Sequence, residues 1–272
     1  MRGLITVLTD FGTSDPYVGM LKGVILTINP DARVVDICHE VHPQNIEQGA
    51  FLLSSALPYF PPGAIHVVVV DPGVGTERRA MALVTPQATL VGPDNGILSA
   101  ALPDEARGQA RHAPTRVPLP PGFSAFALTN AHYHRQPVSA TFHGRDIFAP
   151  VAAHLTLGVA PAALGPAVAD ILALAPFRAA VHADGSLAGR VLHVDRFGNL
   201  ITSVRAEQIG SSRITVQLLG HTVHGLASTY ARSEGLTALI GSSGFLEIAR
   251  SGGSAARELG SAPGDPLTVR PA

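Results

Sequence analysis

Three side chains in two separate segments of the sequence have the chemistry needed to hold and activate a water molecule. Asp71 follows the apolar run VVVV, and Arg78 comes seven residues later, across the loop DPGVGTER. Gly73 and Gly75 allow this loop to fold tightly, so the carboxylate and the guanidinium can converge on one water. A structural ion pair that braces the loop would explain the same two residues. His143, in the segment TFHGRD, adds an imidazole that can orient a water or a proton near neutral pH.

Three further polar segments offer groups that a nucleoside or an amino acid would need. TDFGTSDPY supplies a carboxylate for two neighbouring sugar hydroxyls. HVDRFGNL supplies a carboxylate, an aromatic ring and an amide, and GSSGFLEIARSGGSAA supplies exposed hydroxyls and approachable backbone. The candidate binding residues in these segments are Asp10, Asp195, Phe197, Asn199, Ser242, Ser243 and Gly252. Turns or helix caps would explain the same residues almost as well.

Other kinds of site receive little support from the sequence. The loop after the VVVV run lacks the third glycine of a dinucleotide-binding fingerprint. The 12 histidines include the close pairs His132/His134 and His39/His42, but neither HExxH nor a Cys/His framework accompanies them. We therefore expect no metal site. The net charge is -1 and no Lys/Arg cluster forms a stripe, which argues against a nucleic-acid partner.

Composition predicts a well-buried globular protein rather than a disordered chain. Hydrophobic residues make up 46% of the 272 positions and charged residues 14%. The N-terminal apolar run meets Asp10 too early for a signal peptide, and no apolar stretch approaches the ~20 residues that span a bilayer. The single cysteine, Cys38, cannot form an internal disulfide. We therefore expect a cytoplasmic protein without a membrane segment.

The first half of the sequence alternates strand-like and helix-like segments. Buried strands are predicted at 4–8, 34–37 and 65–70. Helix starts are predicted at Asp15 before Pro16, at the Asn45/Gln48 capping box and near Asp146. This order favours a mostly parallel sheet with helices on its faces. Ligands of such sheets gather beyond the carboxyl ends of the strands, where Asp10 and Asp71 would both lie.

The second half changes to short alternating runs that predict antiparallel strands. These strands are predicted at 187–194, 200–204, 214–218, 239–240 and 245–249. The small, proline-punctuated stretch 158–177 is interpreted as a connector. The sequence thus predicts an α/β fold with two domains. An N-terminal α/β domain at 1–170 has a mostly parallel central sheet, and a smaller C-terminal antiparallel β-barrel-like domain lies at 178–272.

Motifs from most of the chain resemble those of the S-adenosyl-L-methionine (SAM) hydroxide adenosyltransferases, or SAM hydrolases, which are relatives of the fluorinase and chlorinase. The matching motifs are TDFGTSDPYVGMLKG, NPDARVVDICHEV, FPPGAIHVVVVDPGVGTERRA, VGPDNG, TFHGRDIFAP, DRFGNLITS and GSSGFLEIARSGGSAA. They occur in this order from residue 8 to about residue 257. The combination of DPGVGTER with FHGRD is the most specific part of the resemblance.

The resemblance implies a homotrimer whose active sites lie between subunits. One subunit would supply the water-handling triad of Asp71, Arg78 and His143, and Asp10 would hold the ribose hydroxyls. A neighbouring C-terminal domain would supply the other contacts. Those to the methionine end would come from Asp195 and Ser242, with Ser243 beside them. Those to the adenine would come from Phe197, Asn199, Tyr230, Arg250 and the backbone near Gly252.

The activity implied by the resemblance is hydrolysis of SAM to adenosine and L-methionine, with water attacking the ribose C5′. SAM is then the substrate, and no cofactor is expected. In the halogenating relatives an uncharged residue replaces Asp71 and a serine replaces Gly144, whereas this sequence keeps the hydrolase pattern at both positions. Two alternatives stay open: a SAM-dependent halogenase, and a non-catalytic sensor that binds adenosine or SAM.

Overall fold

Strands and helices alternate through the N-terminal unit, residues 1–176. The computed structural model describes residues 3–108, 110, 113–211, 213–230 and 235–271 of the chain. The strands of this unit are β1 (Leu4–Thr9), β2 (Arg33–Cys38), β3 (Ala64–Val69), β4 (Ala80–Val84), β5 (Ala88–Pro93), β6 (Thr115–Pro118), β7 (Ser124–Ala127), β8 (Ala167–Val168) and β9 (Asp170–Ala173). Its helices are α1 (Tyr17–Ile28), α2 (Ile46–Ala56), α3 (Asp104–Arg107) and α4 (Ala149–Thr156).

Seven of these strands form one sheet in the order β2-β1-β3-β5-β4-β7-β8. The strands β2, β1, β3 and β5 run parallel, and β4, β7 and β8 continue the sheet antiparallel. The mixed sheet confirms the predicted α/β fold. Since β1 and β3 are parallel neighbours, the residues that follow them lie at the same edge of the sheet.

The core of the N-terminal unit lies between this sheet and helices α1 and α4. Alternate residues of β1 and β3, such as Val7 and Val67, point into it because successive strand residues face opposite sides. Leu21 and Ile25, four residues apart on α1, are fully buried on the same face of that helix. Val151 of α4 is equally buried. This packing fixes the sheet edge from which the candidate site projects.

Two local predictions were wrong. Asp15 does not cap α1, because Pro16 occupies the N-cap position and no side chain caps the helix. The stretch 158–177 is not a bare connector, since β8 pairs with β7 and β9 pairs with β6. Those partners are distant in sequence, so the composition of the stretch did not reveal them. The predicted capping of α2 is confirmed, with Asn45 accepting the Gln48 backbone N–H at 2.9 Å.

Antiparallel strands make up the C-terminal unit, residues 177–272. They are β10 (Ala180–Val181), β11 (Leu187–Val194), β12 (Leu200–Arg205), β13 (Ile214–Leu218), β14 (His221–His224), β15 (Leu236–Ile240), β16 (Phe245–Arg250) and β17 (Pro266–Pro271). Their order is β14-β13-β17-β11-β12-β16-β15, with β10 beside β11. The two end strands, β14 and β15, also contact each other, so the sheet nearly closes. This confirms the predicted barrel-like form. A short helix, α5 (Ala255–Leu259), precedes β17.

Candidate active site

Asp71 and Arg78 form a close ion pair at the carboxyl edge of β3. Asp71 comes two residues after the last residue of β3, and Arg78 comes two residues before β4. The Arg78 Nε donates to both carboxylate oxygens, at 3.0 and 3.1 Å, and Nη2 donates to Oδ2. The side chains are only 5% and 11% exposed. A bidentate ion pair of this kind fixes the orientation of the carboxylate as well as its position.

The loop between these two residues depends on its second glycine. Gly75 has a φ of +78°, and a β-carbon there would collide with the carbonyl oxygen of Ala140. Any side chain at this position would therefore push the loop away from the segment that carries His143. Within the loop, the Val74 N–H bonds to the Asp71 carbonyl at 3.1 Å. The backbone thus closes tightly enough for Arg78 to reach back to Asp71.

His143 joins the ion pair through the same guanidinium. The Arg78 Nη2 lies 2.7 Å from the His143 Nδ1. A guanidinium can only donate, so Nδ1 accepts, and the neutral ring carries its proton on Nε2. Burial lowers the pKa of His143 and the charge of Arg78 lowers it further, against the opposing charges of Asp71 and Asp146. The neutral imidazole therefore offers an Nε2–H donor.

A π-helical turn at Gly144–Phe148 holds His143 in place and leads into α4. The helix predicted from Asp146 therefore begins earlier, and its first turn is wider than an α-helix. Asp146 is fully buried, and it accepts Arg145 Nε at 2.7 Å and the Ser139 backbone N–H at 2.9 Å. The Phe148 ring lies under Arg78, with its centroid 5.4 Å from Cζ.

Asp10 lies at the same sheet edge, directly after β1. Its Oδ2 accepts the backbone N–H of Gln44 at 2.8 Å. Gln44 has a φ of 66°, a left-handed conformation that non-glycine residues seldom adopt. Burial raises the pKa of Asp10, and the charge of Asp71 adds to this effect, while the Gln44 hydrogen bond opposes it. The two carboxylates therefore lie within electrostatic range of each other.

Sequence analysis missed four residues around this edge. Phe11, Tyr17 and Phe142 pack edge to face, with ring centroids 5.4 to 6.0 Å apart. Tyr17 stays 46% exposed, so the cluster presents aromatic surface beside Asp10 and His143. Asn95 donates its Nδ2–H to the Val70 carbonyl at 2.8 Å, which anchors the chain just before Asp71. The signal was present, since all four residues lie in the motifs TDFGTSDPY, TFHGRD and VGPDNG.

In the C-terminal unit, three of the predicted binding residues share the turn between β11 and β12. Asp195 Oδ1 accepts the backbone N–H groups of Phe197 at 2.9 Å and Asn199 at 2.8 Å, and Oδ2 accepts Asn199 Nδ2 at 2.8 Å. Asp195 therefore shapes this turn, as the hairpin interpretation required. Its Oδ2, with one bond, can accept a further one, whereas Oδ1 already accepts two. The Phe197 ring is 78% exposed, an unusual state for a large apolar side chain.

The remaining predicted residues lie at the two ends of β16 and beside it. Tyr230 is 43% exposed and donates its hydroxyl to Glu247 Oε2 at 2.7 Å. Ser242 and Ser243 are exposed in the turn between β15 and β16. Arg250 ends β16 and pairs with Glu258 of α5 at 2.6 Å. Gly252 follows with a φ of +69° and open space beside it.

Other parts of the described chain offer no comparable chemistry. A cavity of about 450 Å³ lies near the amino ends of β3 and β5, away from Asp71. Among its described lining residues, His66 is the only one with an ionisable side chain. The described residues contain no group of three or more His, Cys, Asp or Glu placed to hold a metal ion. No helix in the described ranges is long and apolar enough to cross a membrane.

Comparison with known proteins decides which family these residues belong to. The family model of the SAM hydroxide adenosyltransferase N-terminal domain matches residues 5–165, and that of the C-terminal domain matches residues 189–268. The chain belongs to the SAM hydroxide adenosyltransferase family. This membership confirms the resemblance inferred from the motifs.

Several individual proteins match most of the chain. A protein of Thermus thermophilus named (R)-S-adenosyl-L-methionine hydrolase is 41% identical over 96% of this chain and 97% of its own. The crystal structure of an uncharacterized conserved protein from Thermotoga maritima has a TM-score of 0.84 and 33% identity, covering 97% of this chain and 99% of that one. A fluorinase of Actinopolyspora mzabensis is 26% identical over 78% of this chain and 75% of its own.

Proposed function

We propose that this protein hydrolyses SAM to adenosine and L-methionine by attack of water on the ribose C5′. The observation that carries this proposal is the convergence of Asp71 and Arg78 with His143, which lies 65 residues beyond Arg78, at one sheet edge. The names of relatives 33% to 41% identical support the substrate, since they are (R)-S-adenosyl-L-methionine hydrolases. A protein that only binds SAM would need no carboxylate and imidazole bridged by one guanidinium.

The geometry suggests a division of labour around the attacking water. Asp71 accepts the proton through Oδ1, because this oxygen takes only one bond from Arg78 and keeps a lone pair, whereas Oδ2 takes two. His143 donates Nε2–H to the water oxygen, since its Nδ1 is occupied by Arg78. Arg78 positions both partners. A water held in this way has a fixed direction of attack, which accounts for much of the rate gain in such reactions.

The bond changes need no acid at sulfur. The water oxygen forms a bond to C5′ as the C5′–S bond breaks, and the electron pair of that bond neutralises the sulfonium. The sulfur leaves as the neutral thioether of methionine, and the water proton passes by way of Asp71 to solvent. No electrons enter or leave the system, so no redox cofactor is required.

The other predicted residues bind the two ends of the substrate. Asp10 holds the ribose hydroxyls next to the water site. In the C-terminal unit, Asp195 with Ser242 and Ser243 contacts the methionine end. The adenine is contacted by Phe197, Asn199, Tyr230, Arg250 and the backbone at Gly252. The exposed rings of Phe197 and Tyr230 support this assignment, because each presents an apolar face that a purine could cover.

Halide chemistry is the main alternative and has less support. Asp71 places a negative charge beside the position of the nucleophile. Two like charges about 4 Å apart near a protein surface repel by about 4 kcal/mol, which disfavours a halide there. At the neighbouring Gly144, a serine would bring its β-carbon within 3.3 Å of Phe11. The fluorinase relatives are also less similar, at 25% to 26% identity.

Assembly and location form part of the same proposal. The protein is a cytoplasmic homotrimer in which one subunit supplies the triad and a neighbour supplies the C-terminal contacts. The exposed Phe197 is consistent with a ring that is covered only on assembly or substrate binding. The free Cys38 is consistent with a reducing compartment.

The test is incubation of the purified protein with SAM in the presence and absence of chloride or fluoride. We expect adenosine and methionine to appear in equal amounts, with no halide requirement, as measured by chromatography. Formation of a 5′-halo-5′-deoxyadenosine would identify a halogenase. Calorimetric binding of SAM without release of methionine would identify a sensor. Either result would overturn the proposed hydrolysis.

A further inference from the structure

Glu247 is a buried carboxylate with no role in the site described above. It lies on β16, and its side chain is almost wholly enclosed, with the residue 5% exposed. Its neighbours along the strand, Leu246 and Ile248, point into the apolar core of the unit. Glu247 therefore faces the opposite side of the sheet. An acidic side chain in this environment costs free energy unless its oxygens are well bonded.

One oxygen of Glu247 holds Tyr230. The Tyr230 hydroxyl donates to Oε2 at 2.7 Å, across 17 positions of sequence. Burial raises the pKa of Tyr230 to about 12, and the hydrogen bond to Glu247 contributes, so the hydroxyl keeps its proton at neutral pH. A tyrosine that is 43% exposed is free to swing unless its end is tied down. The bond to Glu247 fixes the direction of its ring.

The other oxygen of Glu247 lies against the turn that carries the two serines. A β-carbon on Gly241 would overlap Glu247 Oε1 and approach its Cγ at 3.0 Å. Gly241 begins this turn: its N–H bonds to the Phe245 carbonyl at 2.9 Å, and its carbonyl accepts the Gly244 N–H at 3.0 Å. The Glu247 side chain thus fills the space behind the Gly241–Gly244 turn.

We propose that Glu247 is a positioning residue that sets the spacing between Tyr230, at the adenine end of SAM, and the Gly241–Gly244 turn, at the methionine end. This inference rests on the proposed function, which assigns those two ends. In this role Glu247 touches neither the water nor the reacting carbon. Loss of Glu247 should therefore weaken binding of a ligand that spans both ends and leave the chemical step unchanged.

The test compares steady-state kinetics and calorimetry for three variants. Glu247→Ala removes the carboxylate, and Gly241→Ala displaces it without changing any polar group. Both should raise KM for SAM by about tenfold to a hundredfold, the range expected for a lost bond to a charged group, with kcat within about twofold. Glu247→Gln keeps an acceptor for Tyr230 and the same shape, and it should restore KM to within about threefold of wild type.

Ligand fragments sharpen the distinction from a general loss of structure. Methionine occupies the end away from Tyr230, so its affinity should fall by less than about threefold in Glu247→Ala. Adenosine affinity should fall together with SAM affinity, because Tyr230 loses the bond that fixes its ring. Matched controls come from the same unit. Glu207→Gln changes an exposed carboxylate paired with Arg178 at 3.3 Å, and Gly210→Ala adds a β-carbon where no described atom lies within 4 Å. Both controls should leave KM unchanged.

Two results would overturn this role for Glu247. The first is an unchanged KM and SAM affinity in Glu247→Ala and Gly241→Ala. The second is a fall in kcat at constant KM. If either alanine variant fails to fold, Glu247→Gln and Tyr230→Phe decide: the first should match wild type, and the second should raise KM as Glu247→Ala would. Absence of SAM turnover in the wild-type protein would instead contradict the proposed function, and SAM affinities would still test Glu247.

Discussion

Arg78 and Arg79 are adjacent in sequence, yet they build two different ion-pair networks in the N-terminal unit. Arg78 binds Asp71 and His143 at the candidate site. Arg79 binds Asp94, with its Nη2 2.6 Å from Oδ2, and Asp170, at 2.7 Å from Oδ1. Consecutive residues of an extended chain project to opposite sides, so one dipeptide serves both networks.

The Arg79 network is closed at its centre, where the carboxylate of Asp94 is buried. Asp94 is 1% exposed as a side chain, and its oxygens accept Arg79 Nε at 2.8 Å and the Leu172 backbone N–H at 2.8 Å. Arg116 adds a longer contact to Asp94 at 3.4 Å and binds Asp170 at 2.7 Å. This network ties β9 and β6 to the end of β5. Its function is structural.

The Arg78 network is open at one end. His143 Nε2 and the remaining lone pairs of Asp71 are not used by the bonds that join the three residues. Both networks contain an Asp–Arg pair, but only the Arg78 network also contains an imidazole, whose Nε2 is left over for a small molecule. This difference, rather than the presence of an Asp–Arg pair, distinguishes the candidate catalytic network from the structural one.

The largest expected effect comes from Asp71→Asn. The amide keeps the size of the side chain but cannot take a proton, so kcat should fall by about 10²- to 10⁴-fold. SAM affinity, measured by calorimetry, should change by less than about threefold. A loss of affinity equal to the loss of kcat would contradict a role in water activation.

An Asp→Asn substitution in the Arg79 network should lower stability and leave catalysis unchanged, the opposite of Asp71→Asn. Asp94→Asn removes the buried carboxylate but leaves both arginines paired with Asp170, so the free energy of unfolding should fall by about 1 to 3 kcal/mol. Denaturant titration measures this change. The folded protein should keep its kcat within about twofold. If Asp94→Asn lowered kcat as strongly as Asp71→Asn, the distinction between the two networks would be lost.

The smallest effect concerns the pH dependence of kcat/KM. The pKa of His143 is lowered from its ordinary 6.5, so the ring stays neutral as pH falls through 6.5 and becomes charged only below it. Protonation of Nδ1 would break the Arg78 contact, so activity should be kept at pH 6.5 and lost as pH passes the lowered pKa. A profile from about pH 4 to about pH 9 measures this.

His143→Gln provides the control for that profile. Glutamine offers an oxygen to Arg78 but does not titrate. The acid limb of the variant's pH profile should therefore be set by the next group that becomes protonated, and turnover should fall by about tenfold. Asp10, whose pKa is raised by burial, is one such group. An acid limb at or above pH 6.5 in wild type, unchanged in His143→Gln, would contradict the neutral tautomer.

The sequence predicted the parts of the fold that rest on local pattern. The buried runs of β1 and β3 and the Asn45 N-cap of α2 were identified, because burial and capping leave a periodic or short-range signal. Strand β8 was missed, because its identity depends on pairing with β7, about 40 residues earlier. The start of α1 was misplaced by the strong signal of Asp15 before Pro16.

For the candidate site too, local patterns did not reveal contacts between distant segments. The residues Asp71, Arg78 and His143 came from motifs, but motifs do not say which atom of Arg78 bonds to which nitrogen of His143. That contact fixes the tautomer, and it depends on the approach of two loops. Glu247 lies in the motif GSSGFLEIARSGGSAA, but its place inside an ordinary strand pattern did not indicate a role. Its contacts to Tyr230 and Gly241 exist only in the folded unit.

The most direct measurement is turnover of SAM in oxygen-18 water, followed by mass spectrometry of both products. Attack of the water held by Asp71 and His143 on C5′ predicts that each adenosine carries one labelled oxygen, while methionine carries none. In Asp71→Asn, labelled adenosine should form at a rate reduced in step with kcat. Unlabelled adenosine, or label found in the amino acid product instead, would contradict the account.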